Sequence, residues 1–360
     1  MKHSGAMSSD KKASNTPSTN LIMTTHQKQP GAAPGRKGRC LSLNSGGLDS
    51  QLAICILREQ GVEVEAVTFS SPFFSPDNGI ASAHALGVPI HVIDFTGNLV
   101  PLLKSPPHGF GSAMNPCIDC HAAMIRRAAK LMEEKQFDFI ATGEVLGQRP
   151  MSQRRQSLET VMKSADIGDR LLRPLSALLL PETEPERLGL VDRSKLLGLS
   201  GRTRKPQLEL AKKFGLVNYP TPAGGCKLTE DRYAQRLRNI KEHEGLDDTR
   251  LLNLLAYGRH FRLHGGTLAI VGRNKADNAA LRPAMRGADV ILQPVNVPGA
   301  TILAIKPAES DLPHLRRLCA AFADQKGIDT IIVKEMHAAS KPIEFPTPIC
   351  NRAEFQEQMI

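Results

Sequence analysis

Short apolar runs alternate with amphipathic stretches along the first part of the chain, and this alternation limits the folds open to it. The predicted strands and helices follow one another at residues 39–44, 51–59, 62–69, 77–86, 90–95, 122–136 and 137–141. Strands that alternate with helices form parallel sheets that carry helices on both faces. The sequence therefore predicts an α/β fold with a doubly wound parallel sheet.

The turn Ser-Gly-Gly-Leu-Asp-Ser connects the first predicted strand to the first helix. Gly46 and Gly47 let the backbone approach a phosphate closely, and free N–H groups of the first helical turn point toward it. Ser45 and Ser50 add hydroxyl donors, and Asp49 can hold Mg²⁺ against phosphate oxygens. The spacing and the lysine of a Walker A loop are absent. We expect a nucleotide phosphate site here, and an ordinary polar turn is the alternative.

Polar residues also follow two other predicted strands. Residues 45–50 follow the first strand, residues 70–71 the second and residues 142–144 the fourth. Ligands of doubly wound sheets bind beyond the carboxyl ends of the strands. We therefore expect these three loops to form one rim, and we also assign Thr68 and Phe69, at the end of the second strand, to nucleotide binding.

The distribution of charge separates a tail from a folded body. Of the net charge of +10, residues 1–39 contribute seven basic residues and one acidic residue. We expect a disordered basic tail over residues 1–38, and 360 residues are enough for about two domains. A change of character after Cys226 predicts a nucleotide-binding domain over residues 39–230 and a second, smaller α/β domain over residues 231–360.

Cysteine content and hydropathy bear on the compartment. No apolar run approaches the length of a membrane span, so we expect no membrane partner. The chain has seven cysteines and no hydrophobic signal-peptide core. These features favour a reducing cytoplasm over a disulfide framework.

Three cysteines form the second candidate site. Cys117 and Cys120 make a Cys-x-x-Cys pair, which we place in a loop before the predicted helix 122–136, and Cys226 follows about a hundred residues later. The remaining cysteines have apolar neighbours or stand alone, at Cys40, Cys55, Cys319 and Cys350.

The three cysteines leave several chemistries open. We favour three thiolates on an iron–sulfur cluster, which leave one iron free to bind exogenous sulfide. A structural zinc site would need a fourth ligand, such as His108 or His121. A thioredoxin-type redox pair, a c-type haem attachment through the Cys-x-x-Cys-His string, and unliganded cysteines also stay open.

Four separate strings resemble one known family. The turn at residues 45–50 resembles the PP-loop of ATP pyrophosphatases. Residues 142–148 with Ser152 and Gln153 resemble the G-E-x-L-G-Q-x-x-S-Q segment of tRNA 4-thiouridine synthases (ThiI), with a spacer one residue longer. Leu-Arg-Pro-Leu at residues 172–175 is similar to a second motif of that family. Cys226 falls where the family carries a cysteine that takes part in sulfur transfer, and the resemblance covers residues 39–230.

The resemblance implies an adenine nucleotide alpha hydrolase-like fold and an ATP-dependent tRNA sulfurtransferase. Such enzymes adenylate a uridine carbonyl oxygen, release pyrophosphate, and replace that oxygen with sulfur to release AMP. On this resemblance Asp49 holds Mg²⁺ and the ATP phosphates, and Gly143 and Glu144 lie near the adenylate. The nucleotide or the RNA polyanion is also expected to contact Arg202, Arg204 and Lys205.

The chain departs from the better-known members of that family. We recognise no THUMP-like domain and no rhodanese domain, and the Cys117/Cys120 pair is added. Some PP-loop tRNA thiolases hold a [4Fe-4S] cluster with such a pair and a third cysteine. We therefore expect a cluster on Cys117, Cys120 and Cys226, with sulfide or a cysteine desulfurase as the sulfur donor. A persulfide carried by Cys226 is the alternative, and a homodimer is one assembly left open.

The last third of the chain resembles the RNA-binding region of NFACT-type proteins, through residues 271–274 and Asn278. Residues 250–286 hold one acid, Asp277, and seven basic residues: Arg250, Arg259, Arg262, Arg273, Lys275, Arg282 and Arg286. We expect them to contact RNA phosphates by charge and shape, and a solvated surface is the alternative.

Two rival functions follow from the same residues. A different PP-loop ligase, such as an amidating enzyme, would depend on ammonia or an amine and tolerate substitution of Cys226. A non-catalytic RNA-binding protein with a relic nucleotide fold would release no pyrophosphate. The complete Ser-Gly-Gly-Leu-Asp-Ser turn argues against the second rival.

Overall fold

Five parallel strands form the first sheet and confirm the predicted α/β architecture. They are β1 (Arg39–Leu43), β2 (Glu63–Ser70), β3 (Ile90–Asp94), β4 (Phe139–Thr142) and β5 (Leu171–Leu172). Their order is β3-β2-β1-β4-β5, so the chain builds outward from β1 in one direction and then in the other. Ligands bind beyond the carboxyl ends of the strands at such a reversal. The turn after β1 and the residues after β4 therefore flank the natural binding crevice.

Helices cover both faces of this sheet. They are α1 (Leu48–Glu59), α2 (Asp77–Leu86), α3 (Thr96–Lys104), α4 (Cys117–Glu134), α5 (Arg155–Ala165), α6 (Glu184–Arg187) and α7 (Lys205–Lys213). Leu41 and Ile140 pack with α3, α4 and α5, whereas Cys40 and Phe139 pack with α1 and α7. Adjacent strand residues point to opposite faces, so the doubly wound arrangement is confirmed.

The Cys-x-x-Cys pair lies in the first turn of a helix, which corrects the predicted loop. Helix α4 begins at Cys117, and the Cys120 N–H donates to the Pro116 carbonyl at 2.8 Å. A proline directly before the helix removes no helical hydrogen bond, and Asp119 in the first turn suits the positive end of the helix dipole. The sequence-based helix began too late because the preceding residues are rich in proline and glycine.

Six antiparallel strands form a second sheet in the order β11-β10-β8-β9-β7-β6. They are β6 (Arg259–Arg262), β7 (Leu268–Val271), β8 (Val290–Pro294), β9 (Ile302–Ile305), β10 (Thr330–His337) and β11 (Ile343–Pro348). The helices of this part are α8 (Asp231–His243), α9 (Thr249–Leu254), α10 (Lys275–Leu281) and α11 (Leu312–Ala321). Helix α11 packs on one face, and apolar residues of α8 and α9 continue the core on the other.

The computed structural model describes residue 1 and residues 36–149, 151–221, 225–338 and 340–360. The predicted tail, residues 1–38, lies almost wholly outside the described residues, as do Pro150 and residues 222–224. Residues 37–360 form one unit, and the domain boundary predicted near residue 230 stays a prediction. Within the described ranges, no helix is long and apolar enough to cross a membrane.

Gly46 provides a test of how closely the turn after β1 packs. Its φ is +77°, and a Cβ there would lie 2.2 Å from the Asn78 carbonyl oxygen at the start of α2. We expect Gly46→Ala to lower the free energy of unfolding by about 2–5 kcal/mol, through backbone strain and steric overlap. Urea denaturation of the purified protein measures this loss.

Gly61→Ala is the matched control, because Gly61 has φ of +80° and no atom within 4 Å of the place that a Cβ would take. Only the backbone strain remains there, so we expect a loss of about 1 kcal/mol. Equal losses for the two variants would contradict the close contact between the turn and α2.

Candidate active site

The buried side chain of Asn44 holds the turn after β1 in shape. Its Oδ1 accepts hydrogen bonds from the Gly46 N–H at 3.1 Å and from the Ser50 hydroxyl at 3.0 Å. Its amide donates to the Ser82 hydroxyl at 2.8 Å, which ties the turn to α2. Ser50 therefore bonds within the turn, whereas Ser45 is exposed. Sequence reasoning missed Asn44, whose signal is a polar residue that ends a buried strand.

The carboxylate of Asp49 is held at one oxygen and free at the other. The Gln148 amide donates to Asp49 Oδ2 at 2.7 Å, and the Gln207 amide donates to Gln148 Oε1 at 3.1 Å. Asp49 Oδ1 is buried and has no hydrogen-bond partner among the described residues. A buried carboxylate oxygen needs a partner, and a hard divalent cation such as Mg²⁺ is a suitable one. The residues present therefore fit a metal–nucleotide complex.

Gly143 brings the end of β4 into contact with the start of α1. A Cβ on Gly143 would lie 2.5 Å from the Asp49 carbonyl carbon and 2.5 Å from the Ser50 backbone nitrogen. A glycine is required at such a close backbone approach. The structure thus places the two motif loops against each other at the rim, as the sequence predicted.

Glu144 lies beneath this contact at the centre of a buried polar group. Its carboxylate accepts from Arg173 Nε at 2.9 Å and from the Thr142 hydroxyl at 3.0 Å, and it is hydrogen-bonded to His121 Nδ1 at 3.2 Å. Burial acts most strongly and raises the pKa of Glu144, but Arg173 and His121 together outweigh it and lower that pKa well below its usual range. Glu144 is therefore ionised at neutral pH.

These contacts join motifs that are distant in sequence. Arg173 belongs to the Leu-Arg-Pro-Leu string after β5, Glu144 follows β4, and His121 directly follows Cys120 in α4. One carboxylate therefore connects the nucleotide rim to the helix that begins with the cysteine pair.

The three predicted cysteines lie close enough that the charges of Cys226 and Cys117 affect the pKa of Cys120. Burial, followed by the charges of Cys226 and Cys117, raises the pKa of Cys120 far above its usual value. Burial also raises the pKa of Cys226 to about 11, while the positive charge of Arg149 opposes that rise. The Asn115 amide donates to Cys117 Sγ at 3.2 Å. All three cysteines are free thiols.

No single-ion metal site is formed by these side chains. In the part of the chain that the structure describes, no group of three or more His, Cys, Asp or Glu residues has an arrangement that could hold a metal ion. His108 is instead hydrogen-bonded to Asp119 Oδ1 at 2.6 Å. Ligands of a single zinc ion must converge on one point, whereas each cysteine of a [4Fe-4S] cluster binds a different iron. Thiolates are the protein ligands of iron–sulfur clusters, so the three side chains have the donor chemistry of such a site.

Contacts with the loop after β2 hold Cys226 at the rim. The Lys227 N–H donates to the Phe73 carbonyl at 2.9 Å, and the Tyr233 hydroxyl donates to the Pro72 carbonyl at 3.3 Å. The rings of Phe73 and Tyr233 pack edge to face at 6.1 Å. The segment that carries Cys226 is thereby anchored to the same sheet edge as the nucleotide loops.

The side chains of two predicted nucleotide-binding residues pack inside the fold. Thr68 is buried against Gly79, and the Phe69 ring packs on Phe95 at 5.3 Å. Both residues are almost completely buried.

Several predicted phosphate contacts in the second sheet are neutralised within the fold. Arg250 forms an ion pair with the buried Asp289, Arg262 pairs with Glu244 at 2.6 Å, and Arg273 pairs with Asp277 at 2.6 Å. This corrects the prediction that all seven cations of residues 250–286 face RNA phosphates.

The Arg173–Glu144 pair makes stability depend on pH in a defined direction. Arg173→Met leaves the buried Glu144 carboxylate without its main counter-charge, and we expect a loss of about 3–5 kcal/mol at pH 7. The folded pKa of Glu144 lies below the unfolded value of about 4.3. Its stabilisation is therefore present above that unfolded value and is lost as the pH falls through the folded pKa. In the variant, burial without the counter-charge raises the pKa of Glu144, so this carboxyl is protonated at pH 4 and the deficit is smaller there than at pH 7. Urea denaturation at pH 7 and pH 4 measures both values.

Arg170→Met is the control, because Arg170 pairs with the exposed Glu133 at 3.3 Å. Exposed pairs contribute about 0–1 kcal/mol. A deficit for Arg173→Met that is small, or the same at both pH values, would contradict the role of the buried pair.

Two family models match this chain. Residues 35–179 match the family of the thiamine biosynthesis protein (ThiI), and residues 258–353 match the NFACT protein RNA-binding domain. Both matches confirm resemblances drawn from the motifs.

Curated relatives are named as enzymes of tRNA thiolation. A probable tRNA sulfurtransferase of Brevibacillus brevis is 29% identical over 240 residues, which cover 64% of this chain and 55% of that protein. One of Oceanobacillus iheyensis is 25% identical over 44% of this chain and 40% of that protein. A tRNA-specific 2-thiouridylase MnmA 1 of Syntrophus aciditrophicus is 25% identical over 56% of this chain and 56% of that protein. The chain thus spans roughly half or less of the length of these relatives.

Solved structures align with lower similarity. A 4-thiouridine synthetase–RNA complex with bound ATP has a TM-score of 0.34 and 20% identity, over 60% of this chain and 52% of that one. A predicted subunit of a tRNA methyltransferase from Methanocaldococcus jannaschii has a TM-score of 0.36 and 19% identity, over 58% and 88%. By the family models, residues 35–179 are similar to the ThiI family, and residues 258–353 are similar to the NFACT-type RNA-binding domain.

Proposed function

We propose that this protein is an ATP-dependent tRNA uridine sulfurtransferase that forms AMP and pyrophosphate. The observation that carries the proposal is the loop after β4, which serves both halves of the chemistry. Gln148 of this loop holds the Asp49 carboxylate, and the neighbouring Arg149 acts on the Cys226 thiol. A nucleotide site and a sulfur site that share one loop suit a reaction in which sulfur attacks an adenylated substrate.

The rim after β1 supplies the activation step. The first turn of α1 and the glycines before it would bind the ATP phosphates, and Asp49 Oδ1 would hold Mg²⁺. The uridine carbonyl oxygen then attacks the α-phosphorus, and pyrophosphate leaves. The product is an adenylated uridine whose carbon is open to attack, because AMP is a better leaving group than an oxide ion.

The three cysteines supply the sulfur step. Cys117, Cys120 and Cys226 would hold a [4Fe-4S] cluster, which would supply the chemistry that makes sulfide available as a nucleophile. Sulfur replaces oxygen at the activated carbon, and AMP carries that oxygen away.

The grouping of three thiols favours a cluster over a persulfide. A persulfide carrier needs one cysteine, whereas the charges of Cys226 and Cys117 both act on Cys120. Burial raises the pKa of Cys226 to about 11, and metal binding would remove that proton. Seven free cysteines also suit a reducing compartment, and we place the reaction in the cytoplasm.

The cysteine variants test the sulfur half directly. We expect Cys117→Ala and Cys226→Ala to lose bound iron and ATP-dependent thiolation together, because each removes a cluster ligand. The measurements are iron content and the visible charge-transfer absorbance after anaerobic reconstitution, and thionucleoside formation on a tRNA transcript with ATP and sulfide. Cys350→Ala is the control, because Cys350 is half-buried and lies two residues after β11 of the second sheet. This variant should keep both its bound iron and its thiolation activity.

Two results would contradict the cluster. Retained thiolation in Cys117→Ala with loss in Cys226→Ala would indicate a persulfide carrier. Incorporation of ammonia in place of sulfur, with no effect of Cys226→Ala, would instead indicate an amidating ligase.

Gln207 provides a test of the nucleotide half. Gln207→Leu keeps the size of this fully buried side chain but removes the amide that orients Gln148 toward Asp49. Residues that orient metal ligands typically contribute about 10–100-fold to metal affinity. We expect Mn²⁺ affinity in the presence of a non-hydrolysable ATP analogue to fall by about tenfold or more, as measured by electron paramagnetic resonance.

Gln156→Leu is the control, since Gln156 is exposed on α5. Gln207→Glu, which presents no donor to Gln148, should resemble Gln207→Leu. Wild-type Mn²⁺ affinity in both Gln207 variants would contradict the role of the amide chain.

A further inference from the structure

Two loops beside the nucleotide site are joined edge to edge. Leu146 and Ser200 form a parallel β-bridge, and the Gly201 N–H donates to the Leu146 carbonyl at 2.8 Å. A Cβ on Gly147 would lie 3.5 Å from the Gly201 backbone nitrogen. The residues after β4 and the residues before α7 therefore form one continuous surface.

This surface is strongly and uniformly basic. Residues 146–155 and 200–205 contain no Asp and no Glu, and their cations, here named the basic strip, are Arg149, Arg154, Arg155, Arg202, Arg204 and Lys205. All are exposed except Arg204, which is half-buried. Arg204 Nε is buried with no hydrogen-bond partner among the described residues. The strip has no aromatic residue, so stacking on bases is not its mode of binding.

The basic strip differs from residues 250–286, where three of the seven cations are paired with carboxylates. Arg250, Arg262 and Arg273 are neutralised by carboxylates of the same fold. Across the ranges that the structure describes, none of the six strip residues has an ion-pair partner among the carboxylates. Cations without carboxylate partners attract phosphates most strongly, because they release condensed counterions from the nucleic acid.

The position of the strip connects it to the chemistry. Gln148, between the bridge and Arg149, donates to Asp49, and the charge of Arg149 reaches Cys226. At the other end of the strip, Gln207 lies two residues after Lys205 in the first turn of α7. Its amide donates to Gln148, which in turn donates to Asp49. A polyanion on the strip would thus lie next to both halves of the site.

We propose that the basic strip binds the sugar–phosphate backbone of the RNA substrate beside the reacting uridine. This rests on the proposed function, since it assigns the RNA-docking surface of the same site. The strip contacts phosphates and fixes the position of the strand, and it does not read the base sequence. The second sheet then adds affinity through its own exposed cations, such as Arg259 and Lys275.

Phosphate groups could also come from ATP, and the test separates the two sources. The double variant Arg154→Gln/Arg202→Gln uses exposed residues that form no hydrogen bond or ion pair with Asp49 or the cysteines among the described residues. Binding of an unmodified tRNA transcript is measured by fluorescence anisotropy over a series of KCl concentrations. We expect weaker binding and a shallower salt dependence, with the slope of log affinity against log salt reduced by about 1.5. Affinity for an ATP analogue should stay at the wild-type value.

Lys130→Gln/Lys212→Gln is the matched control, because it removes the same charge from exposed positions on α4 and α7 outside the strip. Wild-type RNA affinity and slope in the strip variant would overturn the inference, as would a loss confined to the ATP analogue. A loss seen only in Arg259→Gln/Lys275→Gln would place docking on the second sheet and also overturn it. Failure of the proposed function gives a different result from failure of this inference. The wild type would then show no thiolation activity, while its affinities for RNA and for the ATP analogue could still be measured.

Discussion

The buried contact of Glu144 with Arg173 and His121 holds together the parts on which the site depends. Glu144 follows β4, Arg173 follows β5, and His121 belongs to α4, so three elements meet at one carboxylate. A buried ion pair contributes little net stability, because both charges lose hydration. The ion pair instead fixes the relative positions of the elements that carry it, because separating the partners would leave an uncompensated charge in the core. The cysteine helix is thereby fixed relative to the rim that would bind ATP.

Close backbone packing complements this polar contact. Gly46 and Gly143 bring the turn after β1 against α2 and β4 at distances that a side chain would prevent. The amide chain from Gln207 through Gln148 to Asp49 then orients a single carboxylate and leaves one of its oxygens free. We infer that the residues after β1 and β4 and the three cysteines form one connected site, flanked by the basic strip.

Much of this arrangement follows from local sequence pattern. Alternating apolar runs predicted the parallel sheet, and the polar residues after β1 and β4 predicted the rim, because parallel strands end at the same edge. The start of α4 was missed because proline and glycine before Cys117 concealed a helix that tertiary packing stabilises. The pairing of Arg250 with Asp289 was missed because the partners lie 39 residues apart and only the folded second sheet joins them. Gln207 carries no motif, and its role depends on a contact with Gln148 across 59 residues.

The most direct test of the central claim is a mass-spectrometric census of modified nucleosides in bulk tRNA from cells with and without this gene. We predict selective loss of one thiouridine. Loss of 4-thiouridine would assign the reaction to C4 of the base, and loss of a 2-thiouridine would assign it to C2 with the same activation chemistry. Retention of every thionucleoside, in cells with no second enzyme that makes the same product, would contradict the sulfurtransferase function.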